Sequence, residues 1–324
     1  MREITFGEAA CEAISEEMEK DERIFYMGED VGRFGGSYGT TKGLFEKFGE
    51  ERIKDTPMSE AAIVGFALGA AITGMRPIAE IMFCDLLCLA MDQIVNQVAK
   101  VRYMFGGKVK VPLVIRVPFG GLRRAAAQHS QHLEAWFLHT PGLKIVTPST
   151  PYDVKGLLKS AIRDDNPVIF FEHILLFQKK GYVPEKEYTI PIGKADVKKE
   201  GKDITLISYS LMLQRCLSVA QNLEKEGIDV EVIDLRSLFP LDMETIINSV
   251  KKTGKVVICH QACLRGGVGA EIAAQIQEKA FDFLDAPIKR IAARDVPVPF
   301  SPVLEDFVVP TEKRIEEEIK KMLY

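Results

Sequence analysis

The feature that most constrains the fold is a hydrophobic period that keeps switching. Short β-rich apolar runs alternate with longer segments of helical spacing along nearly the whole chain. In the first half the pattern predicts a helix over 6–20 and a strand over 24–27, then a glycine-rich loop over 32–39. A small-residue helix follows from Glu60, then a strand over 77–82 and a helix over 91–105 stopped by Gly106-Gly107. Strands are expected over 112–117, 143–146 and 168–171. Between the last two, Thr150-Pro151-Tyr152-Asp153 reads as a helix start, with a hydroxyl cap, a first-turn proline and an acid at the positive dipole end. A second alternating set follows: strands over 204–208, 230–233, 255–259 and 288–291, with helices over 211–226, 243–252 and 271–279. Between the sets, Gly181, Pro184 and Pro191 lie among charges. The expected fold is α/β, with two domains, each a mostly parallel sheet flanked by helices. Residues 1–175 form one, 176–192 a linker, and 193–324 the other.

Composition narrows the function. The 42 basic and 46 acidic residues leave a formal charge of −4, without the basic excess of a nucleic-acid binder. No apolar run approaches the roughly 20 residues needed to cross a bilayer. The opening Met1-Arg2-Glu3-Ile4 leads into an acidic helical pattern, with neither a signal-peptide core nor an Arg-rich transit segment, so the expectation is a cytoplasmic enzyme or binding protein. Cys11, Cys84, Cys88, Cys216, Cys259 and Cys263 sit in apolar surroundings, as reduced core thiols do. Cys84 and Cys88 fall one helical turn apart, and Cys259-His260 precedes Cys263. Neither pair has the second pair nearby that zinc sites usually show.

Several residues are candidates for chemistry. Gly266-Gly267-Val268-Gly269 follows a strand and opens a helix, but a dinucleotide fingerprint from Gly267 would need a small residue where Ile272 stands. A loop turn or domain contact explains it more simply. Glu60 precedes a long apolar helix and either caps it or faces a ligand, where a buried carboxyl would hold or trade a proton with a basic heteroatom. The Gly65/Gly69 spacing suits close approach of another helix or simple core packing. His129 lies in Ala126-Ala-Gln-His-Ser-Gln131, after the Pro118-Phe-Gly-Gly121 loop. A lone histidine there is more often structural, but an active-site role is open. Arg123 and Arg124 read as a solvated face or an anion contact. Asp164-Asp165-Asn166-Pro167 is a helix-ending turn whose oxygens also suit a monovalent cation.

Together with Arg52–Glu60 (RIKDTPMSE), Met91-Asp-Gln-Ile94, Arg102-Tyr-Met-Phe-Gly-Gly107, Pro141-Gly-Leu-Lys144, 159–167 (KSAIRDDNP) and Gly266-Gly-Val-Gly-Ala-Glu271, these segments span nearly the whole chain. In that order they resemble the β subunit of the thiamine-diphosphate-dependent first component of 2-oxo acid dehydrogenase complexes, of the pyruvate and acetoin dehydrogenase type. The resemblance implies a transketolase-like pyrimidine-binding domain followed by a transketolase C-terminal domain. It implies that Glu60 hydrogen-bonds the cofactor's aminopyrimidine and supports its imino tautomer, which takes the proton from the thiazolium carbon. It places Glu29, Met58, Met82 and Leu86 with Glu60 around the cofactor, and makes His129 the pocket residue that assists transfer to lipoamide. Leu113, Ala161, Ile162, Asp164 and Asn166 would surround a potassium ion, mostly through backbone oxygens.

No Gly-Asp-Gly stretch of the kind that holds Mg²⁺ and the diphosphate is present. The resemblance therefore implies half a site. An α subunit would hold Mg²⁺ in an α₂β₂ heterotetramer, with a lipoyl-bearing dihydrolipoyl acyltransferase as further partner. The expected reaction is oxidative decarboxylation of pyruvate or cleavage of acetoin with acyl transfer to lipoamide; branched-chain oxo acids stay open. A catalytically weak scaffold subunit is the alternative, and the absence of clustered Cys-x-x-Cys disfavours a ferredoxin-linked oxidoreductase. Three departures from the family stand out. Leu86 replaces a frequent aromatic, Gly121-Leu122-Arg123-Arg124 a small glycine-rich stretch, and Gln261 a frequent acid.

Overall fold

A computed structural model describes residues 1–323. The first half carries β1 (Arg2–Thr5), α1 (Phe6–Lys20), β2 (Ile24–Gly28), α2 (Leu44–Phe48), β3 (Ile53–Asp55), α3 (Glu60–Ile72) and β4 (Arg76–Glu80). Then come α4 (Val101–Met104), β5 (Val114–Phe119), α5 (Glu134–Leu138), β6 (Lys144–Val146), α6 (Pro151–Arg163), β7 (Val168–His173) and β8 (Lys180–Val183). The remainder carries β9 (Asp196–Lys199), β10 (Ile204–Ser208), α7 (Ser210–Glu224), β11 (Val230–Asp234), β12 (Ser237–Phe239), α8 (Met243–Thr253), β13 (Val256–Cys263), α9 (Val268–Ala280), β14 (Lys289–Ala293), α10 (Pro302–Val308) and α11 (Glu312–Leu323).

Local chemistry explains the helix starts. Thr5 caps α1 by accepting from the Glu8 amide at 3.1 Å, and the Glu8 carboxylate accepts from the Thr5 amide at 2.7 Å, closing a capping box. Thr150 caps α6 by accepting from the Asp153 amide at 3.1 Å ahead of Pro151. The expected helix over 91–105 is broken. A tight 3₁₀ turn (Cys84–Ala90) runs into a wide π turn (Asp92–Val98), where the Ala99 amide reaches back to the Ile94 carbonyl at 3.0 Å, and α4 resumes after Lys100. Ala90, Ile94 and Val98 are buried at a spacing of four, which suits a wider turn than 3.6 residues.

The chain divides into two compact units that follow packing instead of chain order. The first holds Met1–Phe119 with Trp136–Ile192; the second holds Gly120–Ala135 with the chain from Gly193 onward. Residues 120–135, read within the first domain, therefore pack with the second unit. Within 176–192, read as linker, β8 pairs antiparallel with β1, so that stretch carries structure of its own.

In the first unit six parallel strands run in the order β6-β7-β5-β4-β2-β3. The chain leaves β2 toward β3 and returns to β4 on its other side. Such a reversal marks, beyond the carboxyl ends of β2 and β4, the usual ligand position in sheets of this kind. The second unit's order is β14-β13-β10-β11-β9, with only β9 antiparallel, and its reversal lies between β10 and β13.

A row of buried polar groups crosses the first sheet. Arg116 on β5 is fully buried and donates to the Tyr26 hydroxyl on β2 at 2.8 Å and to Glu80 on β4 at 3.1 Å. On its other side it holds Glu172 on β7 at 2.5–3.0 Å, and Tyr26 itself bonds Glu80. Burial pushes the Glu172 carboxyl up despite the guanidinium beside it. Removing the one cation leaves two buried carboxylates without a counter-charge. Arg116→Met should therefore cost about 3–5 kcal/mol of stability. Urea denaturation of the purified variant measures this; a loss below about 1 kcal/mol would refute the role assigned to the row.

Candidate active site

The reversal in the first sheet gathers most of the residues singled out from the sequence. Glu29 follows β2 directly, Glu60 is the first residue of α3, Met82 follows β4, and Leu86 lies on the 3₁₀ turn beyond it. Glu29 and Glu60 are 8% and 7% exposed, while Met82 and Leu86 are half-buried. Met58 stands apart from this enclosure at 85% exposed, just before α3.

Glu60 enjoys the positive end of α3, yet it accepts no helix-capping bond, and Ser59 provides no side-chain cap either. Nearby, the Glu29 Oε1 atom is buried without a hydrogen-bond partner. Burial pushes the Glu29 carboxyl up, and the charges of Glu60, Asp30 and Glu80 push the same way. Two close carboxyls, one carrying an orphaned acceptor, fit a ligand that offers ring-nitrogen and amino hydrogen-bonding groups. That is the chemistry of an aminopyrimidine.

The floor of this site is set by close packing. The Gly28 carbonyl takes the Thr56 amide at 2.9 Å, and a Cβ on Gly32 would fall 2.4 Å from the Asp55 carboxylate that accepts the Gly32 amide. The glycine-rich loop over 32–39 is thus tied to the end of β3.

His129 belongs to the second unit and is exposed on the 120–135 segment. Behind that segment, at the reversal between β10 and β13, lies a polar cluster that the sequence did not reveal. Tyr209, just past β10, donates to Glu134 at 2.7 Å and stacks on His260 of β13 with ring centres 6.3 Å apart; His132 approaches Glu134 at 3.5 Å. Burial works to raise the Glu134 carboxyl, but His132 and the Tyr209 hydroxyl outweigh it and hold it below its usual value. Burial also pushes His260 down to about 4, so its ring is neutral at pH 7. The glycine loop expected to be a turn or domain contact encloses this ring. A Cβ on Gly267 or Gly269 would lie 2.7 or 2.8 Å from it. The spacing of glycines therefore answers to the imidazole. Only the histidine's place at a strand end signalled this; the sequence weighs it there with Cys259 and Cys263 as a metal pair and disfavours that for want of a second pair nearby. Among the described residues no group of three or more His, Cys, Asp or Glu could hold a metal.

The residues expected around potassium converge where α6 ends beside β5 and β7. The Leu113 carbonyl accepts from the Val168 amide at 2.9 Å and that of Ala161 from the Asp164 amide at 3.3 Å. Arg76 donates to the carbonyls of Ile162 (2.8 and 3.0 Å) and Asp164 (2.8 Å). Asp164 also takes Lys144 and the Asn166 amide and side chain, and Arg102 donates to Asn166 at 2.8 Å. The set is rich in carbonyl oxygens, of the kind that suits a hard cation, and those of Leu113, Ala161 and Asp164 each keep a second lone pair while Ile162 gives both to Arg76. Arg76 is a resident cation that sequence reasoning missed.

Residues 2–179 match the transketolase pyrimidine-binding domain and residues 193–315 the transketolase C-terminal domain. The chain belongs to this transketolase-type family. It is similar to the 2-oxoisovalerate dehydrogenase subunit beta of Bacillus subtilis, at 48% identity over 99% of both chains. The Pyruvate dehydrogenase E1 component subunit beta of Gracilaria tenuistipitata is also 48% identical, over 100% of both. So is the Acetoin:2,6-dichlorophenolindophenol oxidoreductase subunit beta of Cupriavidus necator, over 99% of this chain and 98% of that one. Among solved structures, a split-gene transketolase in an inactive beta4 tetramer superposes with a TM-score of 0.81 at 24% identity, covering 99% of this chain and 98% of that one. No helix among the described residues is long and apolar enough to cross a membrane.

The electrostatics of Glu29 lead to a direct test. Its folded pKa lies above the ordinary 4.5, so the folded state binds this proton more tightly than the unfolded chain. Stability from it is full below 4.5 and is lost as pH rises through the raised value. Glu29→Gln should therefore raise the melting temperature at pH 7, with the gain shrinking as pH approaches 4.5. Thermal melts across that range check it, and a variant less stable than the parent at pH 7 would contradict the assignment.

Proposed function

We propose that this chain is the β subunit of a thiamine-diphosphate-dependent 2-oxo acid or acetoin dehydrogenase, working with an α subunit. The observation that carries this is the buried Glu29–Glu60 pair with its orphaned acceptor at the reversal of the first sheet. The three relatives named above, each of nearly equal length, support the same reading. When bound, thiamine diphosphate supplies an acidic thiazolium carbon and the electron sink needed to break the bond beside the substrate carbonyl. Glu60 would donate a hydrogen bond to the aminopyrimidine ring nitrogen and hold or trade the proton there. Glu29 presents its unfilled oxygen to the same ring region, while Met82 and Leu86 exclude water beside it, with Met58 at the outer edge. His129 donates or accepts a proton where the acyl group passes to the lipoyl arm.

Mg²⁺ and the diphosphate fall to the α subunit in an α₂β₂ assembly, which a lipoyl-bearing dihydrolipoyl acyltransferase would serve in turn. This chain carries no Gly-Asp-Gly stretch for the ion. A potassium ion would share the carbonyls of Leu113, Ala161, Ile162, Asp164 and Asn166 with Arg76 and order the α6–β7 turn. The expected compartment is the cytoplasm.

Co-expression with an α subunit, followed by dye-linked assays on pyruvate, acetoin and 2-oxoisovalerate, tests the activity and selects the substrate. Turnover of none of them would overturn the reading. If the site is half a site, the chain alone should bind thiamine diphosphate and Mg²⁺ far more weakly than the α–β mixture. Calorimetry showing tight, magnesium-dependent binding by the purified chain alone would sink that view. Glu60→Gln keeps size but cannot hold the same proton, so turnover should fall by about a hundredfold or more while assembly persists. Near-normal turnover of the assembled variant would reduce Glu60 to a helix-end residue.

A further inference from the structure

We propose that Glu305 is a positioning residue for His129, clamping the loop that carries it; this rests on the reading of His129 given above. From Gly120 to Ala126 the backbone alternates in and out of the left-handed region. Leu122, Arg124 and Ala126 have φ of 69°, 63° and 59°, and Gly120 has 101°. L-residues rarely hold such angles, and three at alternate positions persist only where surrounding contacts over-determine them.

The contacts that do so come from α10. Glu305 is fully buried. Its Oε1 accepts from the Leu122 amide at 2.6 Å; its Oε2 accepts from the Arg124 amide at 3.2 Å and from the Arg124 guanidinium at 2.8 Å. The same guanidinium pairs with both Asp306 oxygens at 3.1 Å and donates to the Pro302 carbonyl at 3.1 Å. Gly121 passes so close that a Cβ there would sit 3.1 Å from Glu305 Oε1. Both carboxylate oxygens are thus used on the loop. From the loop, Arg123 reaches forward and donates to the His129 carbonyl at 3.4 Å, which links the clamped turn to the histidine's own backbone.

The same geometry accounts for a departure noted in the sequence. Arg124 stands in a stretch that is usually small and glycine-rich, and it adopts the left-handed angle that glycine takes without strain. Glu305 and Asp306 supply by ion pairing what glycine would supply by freedom. Glu305 also holds two backbone amides, so its grip does not depend on the arginine alone.

The test uses the assembled α–β enzyme and compares lipoamide acylation with dye-linked turnover. Glu305→Ala should lower kcat for lipoamide acylation by about ten- to a hundredfold, with oxo-acid KM and dye-linked turnover within about threefold of the parent. Glu305→Gln keeps one acceptor for the Leu122 amide and should recover most of that loss. Arg124→Gly, unstrained and still leaving Glu305 two amide donors, should act nearly as the parent does. As a readout independent of activity, trypsin should cut after Arg123 or Arg124 about tenfold faster in Glu305→Ala, because the freed loop opens locally.

Parallel losses in both half-reactions, no loss in either, or unchanged trypsin cleavage would each overturn the clamp. Should the alanine variant fail to assemble, Glu305→Gln decides. A smaller loss confined to lipoamide acylation supports the clamp, and equal losses refute it. His129→Ala run alongside separates the two readings. If it leaves lipoamide acylation intact, the histidine's role fails, while the cleavage rate still reports on whether Glu305 holds the loop.

Discussion

The first unit depends on one buried guanidinium. Arg116 spans from β5 to side chains on β2, β4 and β7, so four neighbouring strands share a single charge centre. A carboxylate buried without a counter-charge costs several kcal/mol. That penalty excludes any register in which Glu80 and Glu172 lose the arginine. The row therefore sets the mutual alignment of the strand ends beyond which Glu29 and Glu60 are held, and it does so with a hydrogen-bonding geometry that apolar packing lacks.

Each unit places its unusual polar groups at its own strand-order reversal. In the first, Glu29 lies within reach of the Glu60 charge and has an acceptor left open, a state that is costly unless a hydrogen-bonding group completes it. In the second, Tyr209, Glu134, His132 and His260 satisfy one another in part, and the glycine loop is shaped to the His260 ring. One arrangement leaves an acceptor unfilled and the other is largely internal. The contrast distinguishes the proposed binding site from a buried framework more clearly than residue type does. Buried glutamates occur in both.

The helices and strands that run for ten residues or recur with clear periods were legible in advance. The spans 6–20 and 204–208 coincide with α1 and β10, and the Thr150-Pro151 start is the cap expected. The helix over 91–105 misled because an α-helical period and a period of four are hard to tell apart across three buried residues. Short edge strands such as β1, β8 and β9 left no readable signal, since half-exposed four-residue segments owe their shape to the strand they pair with.

The sequence by itself determined the α/β class, the order of elements and the family. These rest on local periodicity and on motifs a few residues long, which need no distant contact to be recognised. It also marked Glu60 and His129 as the residues to watch, without showing what surrounds them. Only the tertiary structure decided that residues 120–135 pack with the second unit and that Arg76 already bonds two of the carbonyls expected around potassium. It alone showed that Glu305, some 180 positions away, grips the loop before His129. Each of these is a hydrogen bond or a packing contact between residues far apart in the chain. Such pairings follow from how sheets and loops close in space, and no local pattern of residues encodes them.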